Sequence, residues 1–332
     1  MGHIRRCYLI ALALAKKGAT VDIYAPEEKF KKIKKLYPSH SNIKNINFAS
    51  KTDTQKFINY KKQTYFLKKE MLFLKKYDRV VSDNLPEILE HRNDAILSGH
   101  FFWHEFSSNV SKNYKLFAEN LINEFKPVVI ASQMFASHTI KSNPRYIPTG
   151  LYAFQPQCFR QKVKKNYKNS CLISPGSTII IRDRISQLVN KINTFIAQKK
   201  GKLFIDPSIY HKIKKNLSLE DPLQNIYQAT YTLNMYKQIR VAIVRPGLGT
   251  ITDLLLNKAF PICFYESSNL EMQNNAKILD DSKLGIDLNS KNKSYSLEEI
   301  FYHSWEQTLF NSDSTAKINF SGADEAARQI LY

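Results

Sequence analysis

Val241-Ala-Ile-Val-Arg-Pro-Gly-Leu-Gly-Thr-Ile-Thr-Asp-Leu-Leu-Leu256, followed by Ala259-Phe-Pro-Ile-Cys-Phe-Tyr265 and Glu271-Met-Gln-Asn-Asn-Ala276, decides the fold class. The apolar run 241–244 has the length of a short buried strand. Pro246, Gly247 and Gly249 break it. Leu254 to Leu256 continue as an amphipathic helix, and Pro261 to Tyr265 read as the next strand. Strand, glycine loop, helix, strand is the unit of a parallel α/β sheet. A glycine loop feeding a helix N-terminus presents unpaired N–H groups and the positive end of a dipole, which makes it a phosphate site. Glycine is required there because a side chain would hold the phosphate away from the backbone.

Outward from this segment the chain alternates helix and strand. Arg5 to Lys17 reads as a helix ended by Gly18, and Thr20 to Tyr24 and Asn45 to Ala49 as strands. A long helix is expected over Thr54 to Lys76, a strand over Asp78 to Ser82, a short helix over Pro86 to His91 and a strand over Ala95 to Ser98. Lys112 to Glu124 reads as a helix and Pro127 to Ala131 as a strand. The second half restarts at Cys171 to Ser174 with the turn Pro175 to Thr178. Helix 182–199, strand 202–205, helix 222–238, the glycine segment and helices near 297–310 and 322–331 follow. At 332 residues the expected division is a first Rossmann-like domain over 1–160, a linker over 161–170 and a second domain over 171–332.

Composition narrows the class. No apolar run approaches the roughly 18–20 residues that span a membrane, and no secretory signal is visible. Cys7, Cys158, Cys171 and Cys263 are scattered without a CxxC pair, as in reduced core residues of a cytoplasmic protein. The net charge of +20 is uneven: residues 1–250 hold 42 Lys/Arg against 17 Asp/Glu, and residues 251–332 hold 7 against 12. Lys61, Lys62, Lys68, Lys69, Lys75 and Lys76 alternate with Phe66, Leu67, Met71, Leu72 and Leu74. That is the pattern of a basic amphipathic helix at an anionic membrane surface, the alternative being a solvated helix face. No helix-turn-helix, zinc-finger or RNP signature accompanies the charge, so no nucleic-acid partner is expected.

The Gly2-His3-Ile-Arg-Arg6-Cys7 start, the Arg245-Pro-Gly-Leu-Gly-Thr-Ile-Thr-Asp253 segment, Pro261, Glu271-x-x-x-Asn275-Ala276 and Gly285 together resemble the GT-B-fold glycosyltransferases. The likeness is to the branch holding the lipid-II-forming N-acetylglucosaminyltransferase and the UDP-glycosyltransferases, and the order of elements fits over nearly the whole chain. The resemblance implies two Rossmann-like domains facing across a cleft, the C-terminal one holding a nucleotide sugar and the N-terminal one the acceptor. It places Gly247, Gly249 and Thr250 at the diphosphate and Asp253, in the first turn of its helix, at the ribose hydroxyls. It puts Glu271 and Asn275 in the second donor motif and Ser174, Gly176 and Ser177 in a turn approaching the phosphates. Met272 stands where a glutamine is usual, with Gln273 beside it. The family also places a strand and glycine loop ahead of the Gly-His motif, and the sequence as given starts without them. That first strand is expected to be missing, leaving neighbouring strand edges open.

Glycosyl transfer needs a base, stabilisation of the departing diphosphate and alignment of both substrates. His3, at the mouth of the first helix, has the chemistry of a base near neutral pH; the alternative is a terminal histidine without a role. Asp83, at a strand end, is a second catalytic candidate or else an N-cap ahead of Pro86. His100, Trp103, His104 and Glu105 suit an acceptor sugar, or form a packed aromatic loop; they offer no convincing third metal ligand. Arg245 either neutralises phosphate or makes a surface ion pair. The resemblance implies metal-independent, inverting transfer with no cofactor, the nucleoside-diphosphate sugar being substrate and a lipid-linked or cell-envelope glycan the acceptor at the inner membrane face. Gly2-His3-x-x-Arg6-Cys7 also resembles the UDP-sugar hydrolase of nonulosonic acid synthesis, in which His3 would activate water. A truncated paralogue that binds nucleotide sugar without turnover is the third reading. Gly247-x-Gly249 lacks the third glycine of a dinucleotide fingerprint, position 252 being threonine.

Overall fold

In the computed structural model, which describes residues 2–46, 71–106, 111–154, 168–176, 179–216, 225–290, 296–307 and 317–332, the chain divides into two units, Met1–Phe154 with Asn319–Tyr332, and Gln155–Ile318.

The first unit begins with α1 (Gly2–Ala15), which is buried from Ile4 to Arg6 and from Tyr8 to Ala15. A helix apolar on nearly all sides must be packed on all sides. Gly18, at φ +92°, ends the turn after it in a conformation other residues rarely adopt. β1 (Val21–Tyr24), α2 (Glu27–Leu36) and β2 (Ile43–Ile46) follow, and β1 pairs with β2 in parallel. The helix expected over Thr54 to Lys76 lies mostly outside the described residues, with the paired lysines 61, 62, 68 and 69. Its described end, Met71–Lys76, is a 3-10 helix.

β3 (Val81–Asp83), β4 (Ile96–Ser98), β5 (Val129–Ser132) and β6 (Tyr146–Thr149) form a parallel sheet in that order. A 3-10 helix (Pro86–Glu90), α3 (Trp103–Phe106), α4 (Lys112–Phe125) and α5 (His138–Lys141) connect them; α5 and β6 had no counterpart in the sequence reading. Alternation splits the strands between two cores. Leu97, Val129 and Ala131 meet Leu121 of α4 on one face, while Ile96 and Ile130 meet Leu9, Ile10 and Ala13 of α1 on the other. β1 and β3 each keep one edge without a strand partner among the described residues, although Val21 and Val81 share an apolar cluster.

The second unit is a six-stranded parallel sheet in the order β12-β11-β10-β7-β8-β9. In chain order its elements are β7 (Ser170–Ser174), α6 (Ile179–Gln198), β8 (Leu203–Ile205), α7 (Pro207–Asn216), β9 (Ile226–Gln228), α8 (Leu233–Tyr236), β10 (Ile239–Val244), α9 (Leu248–Leu256), β11 (Phe260–Cys263), α10 (Leu270–Asp281), β12 (Ile286–Asp287) and α11 (Leu297–Gln307). The opening segment is therefore β10–α9–β11–α10. β7 and β10, at the centre, are buried at nearly every position, as strands covered on both faces must be.

Among the described residues, from 225 on, the helix expected over 222–238 is not formed. Ile226 pairs with Leu203 as the edge strand β9, Tyr231 takes a left-handed φ of +54°, and Thr232 starts the four-residue α8 by accepting the Met235 N–H at 3.4 Å. Sheet pairing and a left-handed break together override the local helical pattern.

The expected second domain, 171–332, also ends differently. The last helix, α12 (Gly322–Leu331), belongs to the first unit. Its Ala323, Ala326, Ala327 and Ile330 pack with Leu9, Ala13 and Leu14 of α1. Glu325 accepts the Gly150 N–H at 2.8 Å. A Cβ on Gly322 would lie 2.1 Å from the Gly150 carbonyl, so this crossing needs glycine. Most of the expected linker, 161–167, lies outside the described residues, and Ser170 already belongs to β7.

Candidate functional site

Ligands of parallel sheets gather at the carboxyl ends of the strands, and both units concentrate polar side chains there. In the first unit, Asp83 ends β3 and lies under the first turns of α1. His3, Arg6 and Cys7 recur at helical spacing, which puts them on one face of α1. His3 Nδ1 is 2.7 Å from Asp83 Oδ1. Arg6 donates through Nε to Asp83 Oδ2 at 2.9 Å and through Nη2 to Oδ1 at 2.5 Å. The Cys7 thiol approaches Oδ2 at 3.5 Å. The side chains of Arg6 and Asp83 are 10% and 9% exposed, whereas that of His3 is 59% exposed.

Burial alone would raise the Asp83 carboxyl; the Arg6 charge, with His3, outweighs it and holds the group well below the usual carboxylate range. Burial and the Asp83 charge push the Cys7 thiol up, leaving it protonated and a donor. The N-cap role weighed for Asp83 is not the one seen, since Leu85 occupies that position ahead of Pro86.

The four acceptor candidates separate. His100 is buried beyond β4, and burial, then Arg6, drives its imidazole well below its ordinary value, so it is neutral. Its Nδ1, like Asn84 Nδ2 and Ser132 Oγ, is a buried polar atom without a hydrogen-bond partner among the described residues. Gly99 is glycine because a Cβ there would meet the Asn84 side chain. Trp103, His104 and Glu105 lie on α3 instead. His104 stacks on Phe102; burial and Lys115 lower it to about 4. Burial raises Glu105. The packed aromatic arrangement therefore describes His104, and only His100 joins the Asp83 cluster.

In the second unit, Gly247 is the extended residue preceding α9, at φ −72°. A Cβ on it would meet nothing within 4 Å, so packing alone does not demand glycine. The Ile251 N–H bonds back to Gly247 O at 3.0 Å, so α9 opens directly after Gly247 and the positive end of its dipole lies at the glycine loop. Asp253 is half-buried in the second turn of α9, not the first, because the helix starts directly after Gly247. Asn275 is buried, and its Nδ2 donates to Pro246 O at 3.0 Å. It braces the glycine loop from behind. Glu271 is half-buried in the first turn of α10. Met272 turns into the core, whereas Gln273 lines a cavity of about 370 Å³ with Tyr265, Ser267 and Asp287.

Arg245 donates from Nε to Glu266 Oε2 at 3.1 Å, the surface ion pair weighed from the sequence. It also lies across Gly176, whose φ is +70° and whose added Cβ would come 2.9 Å from Arg245 Cδ. Ser174 is committed elsewhere. Its hydroxyl is 2.8 Å from the Tyr231 hydroxyl and donates to Asp206 Oδ2 at 3.3 Å, while Tyr231 donates to the same carboxylate. Burial, then the bond to Asp206, pushes the Tyr231 phenol up. The sequence reading missed Asp206 and Tyr231; the only local signal was Asp206 directly after strand 202–205, at an N-cap ahead of Pro207. Ser177 lies outside the described residues.

No family model matches the chain, and no curated protein matches it in sequence. Solved structures do match in fold. The glycotransferase of kitacinnamycin superposes with a TM-score of 0.63 at 11% identity, over 99% of this chain and 92% of that one. MurG of Acinetobacter baumannii gives 0.58 at 14%, over 99% and 96%. LpCGTa, solved in complex with UDP, gives 0.58 at 12%, over 100% and 92%. The chain has the GT-B fold.

Proposed function

We propose that the protein is a glycosyltransferase that moves a sugar from a nucleoside-diphosphate sugar, a UDP-sugar by preference, to a hydroxyl of a lipid-linked or cell-envelope glycan, with inversion and without a metal. The observation that carries the reading is the His3–Asp83 hydrogen bond at the carboxyl end of β3 in a chain of GT-B fold. With Nδ1 donating to Asp83, His3 Nε2 is the ring nitrogen able to accept a proton. In the proposed step the acceptor oxygen attacks the anomeric carbon, its proton passes to His3 Nε2, and the bond to the diphosphate breaks with the electron pair leaving on phosphate. Taken by itself, the second unit offers a phosphate the N-terminal end of α9. The preference for UDP rests on the nucleotide in the LpCGTa complex.

A specific observation favours the nucleotide-sugar hydrolase as second reading: His3, Arg6 and Cys7, the residues of its signature, converge on one carboxylate. The two readings differ in what replaces the acceptor hydroxyl. Purified protein given UDP-sugars with and without lipid-linked acceptors separates them. Nucleotide release that needs acceptor is the result expected, and release at the same rate in water alone would establish the hydrolase.

The anionic membrane surface also remains a proposal, as does a place at the inner membrane face. Among the described residues no helix is long and apolar enough to cross a membrane. Lys168, Lys199, Lys200, Lys202 and Lys258 precede strands β7, β8 and β11, at the end opposite the glycine loop, with β10 between β7 and β11. Burial, then Lys258, lowers Lys168 to about 8, and lysines at this end of the sheet suit anionic headgroups.

A further inference from the structure

A buried carboxylate beside a histidine ordinarily does two things: it orients the ring and it stabilises the imidazolium. Asp83 is arranged to do mainly the first. Its Oδ1 is shared between His3 Nδ1 at 2.7 Å and Arg6 Nη2 at 2.5 Å, and its Oδ2 between Arg6 Nε at 2.9 Å and Cys7 Sγ at 3.5 Å. Each carboxylate oxygen accepts two bonds, so the four positions are filled. A guanidinium does not lose its proton, and its fork matches the carboxylate edge, a geometry an ammonium cannot reproduce. The buried pair therefore has no net charge, while the exposed ring beside it keeps the orienting hydrogen bond.

We infer that Arg6 is a positioning residue that sets the pH range in which His3 works as a base: it cancels the Asp83 charge and leaves only its hydrogen bond to His3. The inference rests on the reading of His3 as the base. A lone carboxylate at this distance would hold a proton on the imidazole and postpone its service to higher pH. The other groups facing the cluster are His100, neutral and buried beyond β4, and Tyr152, whose phenol burial keeps protonated. Neither supplies a charge that replaces Arg6. The first turn of α1 adds the positive end of its dipole and the Arg5 guanidinium, which lies over the Tyr37 ring, and both act in the same sense as Arg6.

The test is the His3 imidazole titration, followed by proton NMR on the substrate-free protein, beside the pH profile of kcat/KM. In Arg6→Gln the His3 midpoint and the acidic limb of activity are expected to rise together by about one pH unit. Arg6→Lys, which keeps the charge but not the fork, is expected to hold the midpoint within about 0.3 while kcat falls about tenfold. An unmoved midpoint in folded Arg6→Gln overturns the inference. If Arg6→Gln fails to fold, the double variant Arg6→Met with Asp83→Leu removes the pair as a unit, a replacement that buried ion pairs often tolerate. Its His3 midpoint is expected to stay near that of the wild type, and a fall of a full unit would show that the Asp83 charge had dominated. A midpoint that rises in Arg6→Gln without any change in the activity profile supports the role of Arg6 and removes His3 as the base.

Discussion

Loss of His3 and loss of Asp83 are expected to differ in kind, because one side chain is exposed and the other holds a buried cation. His3→Ala removes a solvent-facing ring, so the variant should melt within about 0.5 kcal/mol of the wild type while kcat falls about 10²- to 10⁴-fold. Asp83→Ala strands Arg6 without its partner and should destabilise the first unit by about 3–5 kcal/mol. Chemical denaturation beside steady-state kinetics separates the two effects. The same carboxylate gives a pH signature. Its folded pKa is depressed, so its contribution is present above the ordinary aspartate value of about 3.9 and is lost as pH falls below it. Acid unfolding of Asp83→Asn should accordingly depend less on pH in that range. An equal stability loss in the two alanine variants would contradict this division of roles.

At the scale of elements, two glycines beside the nucleotide segment should behave oppositely. Gly176 has φ +70° and Arg245 lying against it, so Gly176→Ala should cost about 1–3 kcal/mol of stability. Gly247 has an ordinary φ and open space at its Cβ position. Gly247→Ala should fold with a loss of at most about 1 kcal/mol, yet weaken nucleoside-diphosphate binding at least tenfold, by about 1.4 kcal/mol. Melting curves and calorimetric titration check both, and unchanged binding in Gly247→Ala would remove the phosphate role from that loop. The strands of the second unit were legible because buried parallel strands are short apolar runs bounded by breakers. Helix 222–238 was misread because its apolar spacing hid an edge strand that only pairing with β8 reveals. Of the candidate site residues, the positions of His3 at the start of a helix, Asp83 at a strand end and Gly247 ahead of a helix could be read from sequence. The grip of Arg6 on Asp83 spans 77 positions, the tie from Asp206 to Tyr231 spans 25, and no local pattern announces either.

At the scale of the whole molecule, the return of α12 to the first unit links the two ends of the chain. Truncation after Ile318 exposes Leu9, Ile10, Ala13 and Leu14 of α1. Hydrogen exchange should then show loss of protection in α1 and β3–β6, with β7–β12 unchanged; protection lost equally in both units would contradict the division described. The most direct test of a nucleotide-sugar enzyme is thermal unfolding with UDP, GDP, CDP, TDP and NAD, each in excess. A ligand at 100 times its Kd stabilises by about 2.7 kcal/mol. A rise in Tm with UDP, absent with NAD and lost in Asp253→Ala, is the expected result. An unchanged transition with every nucleoside diphosphate would contradict the donor site and, with it, the proposed reaction.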